Sequence, residues 1–182
     1  MLRWTLPAAL LLAAAPAVAT ERNYTVTGFD RIRVEGPYSV TLATNRAPFA
    51  RATGSPQALD AVRIEVQGRT LIVRQDRTSG MGASANLGPV TIALGTHELS
   101  AAWLSGAGTL EIDRLKGLSA SLEVTGAGSV RVGNVAVDKL SVGLAGAGSA
   151  TLGGKTLNFT AVVRGASNLD ASALSARDAT LA

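Results

Sequence analysis

The sequence predicts an all-β chain wound as a parallel β-helix, a solenoid of ~20-residue coils preceded by irregular β-strand coils. Three observations carry that prediction. Small-residue turns recur at Ser105-Gly106-Ala107-Gly108, Thr125-Gly126-Ala127-Gly128, Ala145-Gly146-Ala147-Gly148 and Arg164-Gly165-Ala166-Ser167, their first glycines stepping by 20, 20 and 19 residues. A step of this length marks stacked repeats. On both sides of each turn apolar residues alternate with polar ones, the period of a half-buried strand. Composition agrees: aromatic residues are only 4% of the chain and charged residues 16%, so the core must be aliphatic and its layers narrow.

The first nineteen residues differ in kind from the rest. Arg3 gives a positive start, Ala8 to Ala15 is unbroken apolar sequence, and Ala17-Val18-Ala19 is a small-x-small cleavage site. This is the pattern of a Sec-type signal peptide cut after Ala19. The apolar run is shorter than the ~20 residues a bilayer span requires, so no transmembrane segment is expected in the mature chain. Residues 20–182 then form a single solenoid domain, with regular GxG repeats from about residue 99 to 182. The chain has no cysteine, which removes both a lipid-attachment site and disulfides, so the exported protein must rest on its apolar interior.

Taken in order, Tyr24 and Val26, Ile32 and Val34, and Tyr38, Val40 and Leu42 alternate with polar residues and break at Gly28 and Gly36-Pro37. These are strands with Gly and Pro at their corners. Asn45 to Gln57, with Pro48, Gly54 and Pro56, predicts irregular connection with one short strand around Phe49 to Thr53. Val62, Ile64 and Val66, a turn at Gln67-Gly68, then Leu71 and Val73 predict a hairpin. Thr78 to Leu87 is aperiodic and rich in Gly, Ser and Ala, the composition of a flexible loop, and Val90, Ile92 and Leu94 resume the alternation.

Each repeat offers two short strands joined by a GxG corner. Before the corner stand Ala102 and Leu104, then Ala120, Leu122 and Val124, then Leu140, Val142 and Leu144, then Phe159, Ala161 and Val163. After it stand Leu110 and Ile112, Val130 and Val132, Ala150 and Leu152, Leu169 and Ala171. Glycine tolerates positive φ and has no Cβ, so the chain can turn sharply and the next coil can settle at the ~4.8 Å spacing of neighbouring strands. Thr109, Ser129, Ser149 and Asn168 should form a polar column able to hydrogen-bond along the stack, and Glu111 should lie beneath Arg131. Leu181 falls where an inward position precedes each earlier turn, so the last coil should present an open end.

The opening Phe29-Asp30-Arg31-Ile32-Arg33-Val34-Glu35-Gly36-Pro37-Tyr38-Ser39-Val40-Thr41-Leu42, followed by Gly68-Arg69-Thr70-Leu71-Ile72-Val73 and repeated Ser-Gly-Ala-Gly units, resembles the putative autotransporter adhesin head GIN domain family, a domain of unknown function. The resemblance covers nearly all of the chain after the leader. It implies a right-handed parallel β-helix, export to the envelope and no demonstrated enzyme activity. The sequence departs from a self-transporting adhesin in showing neither C-terminal membrane-barrel strands nor a coiled-coil stalk.

No residue is assigned a catalytic, cofactor-binding or metal-binding role. Gly-Ala-Gly lacks the Gly-Lys-Ser/Thr ending of a phosphate loop. Calcium-binding β-rolls place Asp two residues after the glycine, where this chain has Leu110, Val130, Ala150 and Leu169. A glycan-cleaving enzyme needs paired carboxylates about 5 to 10 Å apart. Glu111 and Asp113, ~7 Å apart on one strand face, are the nearest pair, and Arg131 and Gly133 one coil on do not extend it. His97 is the only histidine and stands in a polar turn, while Trp103 and Tyr38 are candidates to stack on sugar rings. Nine arginines against six acids between Glu21 and Gly80, with seven bases and seven acids from Met81 on, place the positive excess in the N-terminal half. The sequence therefore predicts a non-enzymatic adhesion or interaction module, periplasmic or at the cell surface. Its candidate partners are envelope glycans, anionic lipid or a second copy through the C-terminal coil, and not nucleic acid. The alternatives are a polysaccharide-active β-helix enzyme and a purely structural envelope protein.

Overall fold

A computed structural model describes residues 20–76 and 88–182; the expected signal peptide 1–19 and the expected flexible loop Thr78–Leu87 lie outside the described residues. The solenoid is present. All twelve described strands join one sheet, and its C-terminal part is five strands laid parallel: β8 Ala101–Gly106 with β9 Thr109–Gly126, then β10 Ser129–Gly146, β11 Ser149–Gly165 and β12 Asn168–Leu181. Register matches the repeat in the sequence: Gly106, Gly126, Gly146 and Gly165 lie in line, as do Thr109, Ser129, Ser149 and Asn168.

The corners approach one another main chain to main chain, and at the last the Ser167 hydroxyl also donates to the Gly146 carbonyl at 3.0 Å. Gly106, Gly126, Gly146 and Gly165 have φ of +111°, +107°, +112° and +87°. The Ala127 and Ala147 amides donate to the carbonyls of Gly106 and Gly126 at 3.0 and 2.9 Å. A Cβ on Gly126 would stand 2.8 Å from the Gly106 oxygen, and one on Gly146 would stand 2.6 Å from the Gly126 oxygen. No side chain fits in that gap.

Between corners each coil is one bent strand rather than the two short strands the sequence suggested. Alternation lapses at Asp113-Arg114 and again from Lys116 to Ser119, where consecutive residues face solvent, and these two bends give the coil three faces. The third face carries an inward column the sequence analysis missed, Leu115, Val135, Gly154 and Leu174. Gly154, at φ +123° and closed against the Val135 main chain, is where the 19-residue coil saves its residue. Thr156 takes the inward place of Val137, and its hydroxyl donates to the Asp138 and Asn158 carbonyls at 3.3 and 3.2 Å, so a buried polar group is satisfied.

The N-terminal segment supplies the first coil and then a cap. β1 is Thr20–Tyr24, β2 Arg31–Glu35 and β3 Ser39–Ala43. β2 pairs in parallel with β8, and β3 with β9, so the Gly36 corner stacks beneath Gly106 and its amide donates to the Ser105 carbonyl at 2.9 Å. Gly36, at φ +126°, is therefore the first rung of the ladder. Past β3 the chain makes an excursion: β4 Phe49–Gly54, α1 Pro56–Asp60, β5 Val62–Gln67, β6 Thr70–Gln75 and β7 Thr91–Gly95. The β5–β6 hairpin lies beyond β2, and the antiparallel set β7, β4, β1 lies beyond β3. The expected Phe49 strand and Gln67-Gly68 hairpin are both present. The short helix was not expected. Ser55 caps it by accepting from the Ala58 amide at 3.2 Å, Pro56 starts it, and Leu59 is fully buried.

At the other end β12 pairs only with β11 among the described residues. Its inward Leu169, Ala171, Leu174 and Ala176 are half-buried, and Leu181, in register with Ala161, is 71% exposed.

Two glycine substitutions separate corner from face. Gly146→Ala puts a methyl group into both a positive φ and the Gly126 carbonyl, with an expected loss of about 2–4 kcal/mol. A Cβ on Gly143 meets only Glu123 Cγ, at 3.7 Å, so Gly143→Ala should stay within about 0.5 kcal/mol of the parent. Urea unfolding of the two variants side by side measures the difference.

Candidate functional site

Because register is fixed, outward residues of successive coils form straight columns. On the first face, Arg33, Trp103, Glu123, Gly143 and Val162 make one column and Glu35, Ser105, Thr125, Ala145 and Arg164 make the next. On the second face, Ser39, Thr109, Ser129, Ser149 and Asn168 run beside Thr41, Glu111, Arg131, Thr151 and Asp170. Glu111 does lie in register with Arg131. The bonds that tie the Ser/Thr column are main-chain ones, Thr109, Ser129 and Ser149 amides to the Tyr38, Gly108 and Gly128 carbonyls at 2.8, 3.0 and 3.0 Å. Its hydroxyls decorate the stack rather than hold it.

The carboxylates singled out from sequence have separate jobs. Asp113 sits at the bend and its Oδ1 accepts from the Thr44 amide, the Thr44 hydroxyl and the Arg114 amide at 2.9, 3.0 and 2.6 Å. It fastens the bend to the first coil, while Glu111 faces solvent beside Thr41 and Arg131. Asp170, one column end further, is held below the usual carboxylate range by the hydroxyl and amide of Ser172, with Arg131 adding to the effect. His97 is exposed, and its carbonyl accepts from the Asn45 amide at 3.0 Å. Among the described residues no group of three or more His, Cys, Asp or Glu is placed to hold a metal ion.

The arginine excess is largely matched within the fold. Of the eight described arginines of the N-terminal half, six (22, 31, 51, 63, 69 and 74) face a carboxylate within 4 Å, among them Arg22–Asp60 at 2.7 Å, Arg69–Asp30 at 2.8 Å and Arg51–Glu21 at 3.2 Å. Glu65 alone takes Arg63 at 3.2 Å, Arg74 at 2.9 Å and Gln67 at 2.9 Å. Partial desolvation pushes the Glu65 carboxyl up, but the hydrogen bonds from Arg63 and Gln67 and the charges of Arg74 and Arg63 outweigh it and hold it below its ordinary value.

The two aromatic candidates divide sharply. Tyr38 is buried, 7% exposed, beneath the Gly36 corner, and burial, with the neighbouring Tyr24, pushes its hydroxyl up; it is not a stacking platform. Trp103 stands on the first face, half-buried, with the Arg33 guanidinium 5.5 Å from its ring centroid. Trp103, Arg33, Glu35, Ser105, Glu123 and Thr125 frame a groove of about 290 Å³. A cavity of about 580 Å³ adjoins it, sharing Glu35 and Ser105 and bounded on its far side by Gly36, Arg63, Arg74, Gln75 and Asp76. This trough lies where the hairpin cap meets the first coils, and sequence reasoning did not assemble it. The pairing of β2 with β8 on one side and with β6 on the other brings its two walls together. On the third face Leu118 and Leu157 are exposed, 78% and 46%, near Lys116 and Lys155. No helix of the described residues is long and apolar enough to cross a membrane.

A family model described as "putative auto-transporter adhesin, head GIN domain" matches residues 28–182. No curated protein matches. Among solved structures, a putative adhesin from Bacteroides fragilis superposes with TM-score 0.81 at 20% identity, covering 90% of this chain and 75% of that one. A putative lipid binding protein from Parabacteroides distasonis gives 0.67 at 19% identity, covering 91% and 78%. A putative adhesin from Parabacteroides merdae gives 0.66 at 16%, with the same coverage of 91% and 78%. At such identities the likeness is one of fold.

Asp113→Ala removes the acceptor for two main-chain amides and a hydroxyl and should cost about 1–3 kcal/mol, whereas Glu111→Ala should cost less than about 0.5 kcal/mol; urea midpoints distinguish them. For Glu65, a lowered folded pKa means that its stabilisation is complete above the unfolded value of ~4.3 and is lost as pH falls through the folded one. The stability difference between the parent and Glu65→Gln, followed by thermal melts from neutral to acid, should therefore hold steady down to that value and shrink only below it.

Proposed function

The chain belongs to the putative auto-transporter adhesin head GIN domain family, and from that premise we propose that it is an exported, non-enzymatic module of the cell envelope that works by adhesion through its outward faces. The observation that best supports this reading is the parallel register of the coils, which outside shifts at Val132/Val135 and Thr151/Gly153 turns outward residues into columns. A surface so ordered can meet a partner with little loss of its own conformational freedom. The catalytic alternative has weaker support, since the carboxylate pair it relied on is divided between a bend acceptor and an exposed face.

Export by the leader 1–19 is part of the proposal. Expressed with its leader in a Gram-negative host, the protein should be recovered from the envelope fraction with Thr20 as its first residue; an uncut chain in the cytoplasm would overturn this. For partners, envelope glycans are favoured over anionic lipid, because most N-terminal arginines already face carboxylates of the same chain. The neighbour described as a putative lipid binding protein keeps lipid among the probes.

The test is sedimentation of the purified chain with isolated envelope glycan and, separately, with anionic vesicles. Retention on glycan without release of soluble sugar is the expected result. Retention on neither would leave only a structural role, and sugar release that vanishes when Glu111 and Asp113 are both changed to Ala would restore the enzyme reading.

A further inference from the structure

We propose that the trough between the β5–β6 hairpin and the first face is a binding site for a neutral oligosaccharide, an inference that rests on the adhesion reading and gives it a location. The two connected hollows, about 580 and 290 Å³, are of the size that holds a small ligand, and they meet at Glu35 and Ser105.

Charge decides the class of ligand. The walls carry Arg33, Arg63 and Arg74 against Glu35, Asp76 and Glu123, so the lining is balanced and selects neither a phosphate nor a polycation. What it offers is donors and acceptors side by side, and a sugar hydroxyl is both at once. The donors are set before any ligand arrives: Glu65 holds Arg63 and Arg74, and the Trp103 ring holds Arg33 at 5.5 Å. Such preorganisation lowers the entropic cost of binding. Glu35, in contrast, has no ion pair or side-chain hydrogen bond among the described residues although it lines both hollows. A carboxylate accepts only, so its partner must bring O–H or N–H groups. Trp103, half-buried and with the Arg33 guanidinium over its ring, adds apolar surface to the groove beside that guanidinium.

The trough also has an exit. Beyond Glu123 and Thr125 the two columns continue as Gly143 and Ala145, and at Gly143 even an added Cβ would meet nothing nearer than Glu123 Cγ at 3.7 Å. A chain of several sugars can leave the hollow along the solenoid axis over this low strip, which makes the ligand an oligosaccharide rather than a single ring.

The sequence holds two tryptophans, Trp4 in the leader and Trp103, so in the full chain carrying Trp4→Phe the indole emission reports this trough alone. The probes are oligosaccharides of glucose, mannose, galactose and N-acetylglucosamine, with uronate oligosaccharides and phosphatidylglycerol vesicles as comparators. A saturable emission change is expected with a neutral oligosaccharide, with affinity falling at least tenfold in Glu35→Gln. Gly143→Gln, which adds bulk only to the exit strip, should weaken longer oligosaccharides and spare the shortest. No saturable response to any neutral sugar, a preference for uronate or vesicles, or unchanged affinity in Glu35→Gln would each overturn the site. If Glu35→Gln still sediments with envelope glycan as the parent does, the trough is wrong and the adhesion reading stands; if the parent itself does not sediment, the adhesion reading fails as well.

Discussion

The molecule depends on one close approach, that of the main chain at each corner to the main chain of the corner before it. A gap of 2.6 Å between the Gly126 oxygen and the place a Cβ would occupy on Gly146 admits a hydrogen atom and nothing larger. With side chains excluded, the amides of Ala127 and Ala147 reach the carbonyls behind them, and that contact sets the height and the register of the coils at these corners. A one-residue slip would invert the faces of a strand and turn Leu122, Val142 and Ala161 into solvent. The glycines thus act through the register they impose, and the single continuous core of small aliphatic side chains follows from it.

Fixed register has a second effect, on charge. Arg22 finds Asp60 and Arg69 finds Asp30 across long stretches of chain, because the excursion from β4 to β7 folds back over the first coil. What looks in sequence like a basic half is, in the fold, mainly a set of local pairs. Exposed pairs of this kind add little stability each, but they remove the long-range field that a basic surface would project to anionic lipid. The same logic separates Glu111 from Asp113. Two carboxylates two residues apart would share a strand face, yet the bend at Asp113 and Arg114 turns the second toward Thr44, where amide donors occupy it.

The repeat was legible because a corner that excludes side chains can be written only with glycine, and the inward alternation on two faces follows from period two. The third face was harder. Its column of Leu115, Val135 and Leu174 lies between two bends where alternation lapses, and at Gly154 the column has no side chain at all. Gly36 was legible as a strand corner but not as a rung of the ladder: Pro37 and Tyr38 follow it where Ala-Gly or Ala-Ser follow the others, and the long excursion separates it from Gly106. In α1 the signal was present in Ser55-Pro56, a cap followed by a first-turn proline, but five residues are too few to show a helical period. The trough could not have been read at all. Glu35, Arg74 and Trp103 belong to three separate strands, and their meeting is a fact of pairing, not of spacing.

That the trough lies at the cap is a consequence of how solenoids are built. Where coil follows coil in register, the outward surface is a set of straight columns, and straight columns make flat faces. Hollows of about 340 and 400 Å³ lie on the regular coils, and the cavity of about 580 Å³ lies where the repeat is interrupted. Here the departure is the β5–β6 hairpin, which continues the parallel pairing of β2 through β6 and then reverses direction into β5, so that the charged residues Arg74 and Arg63 extend the Glu35 column toward the cap and, with Asp76, line the cavity beside the Gly36 corner. The regular part supplies a rigid floor with Trp103 and Glu123, and the irregular part supplies a wall of charged side chains held by Glu65. The junction is where the rigidity of the stack and the irregularity of its cap coincide.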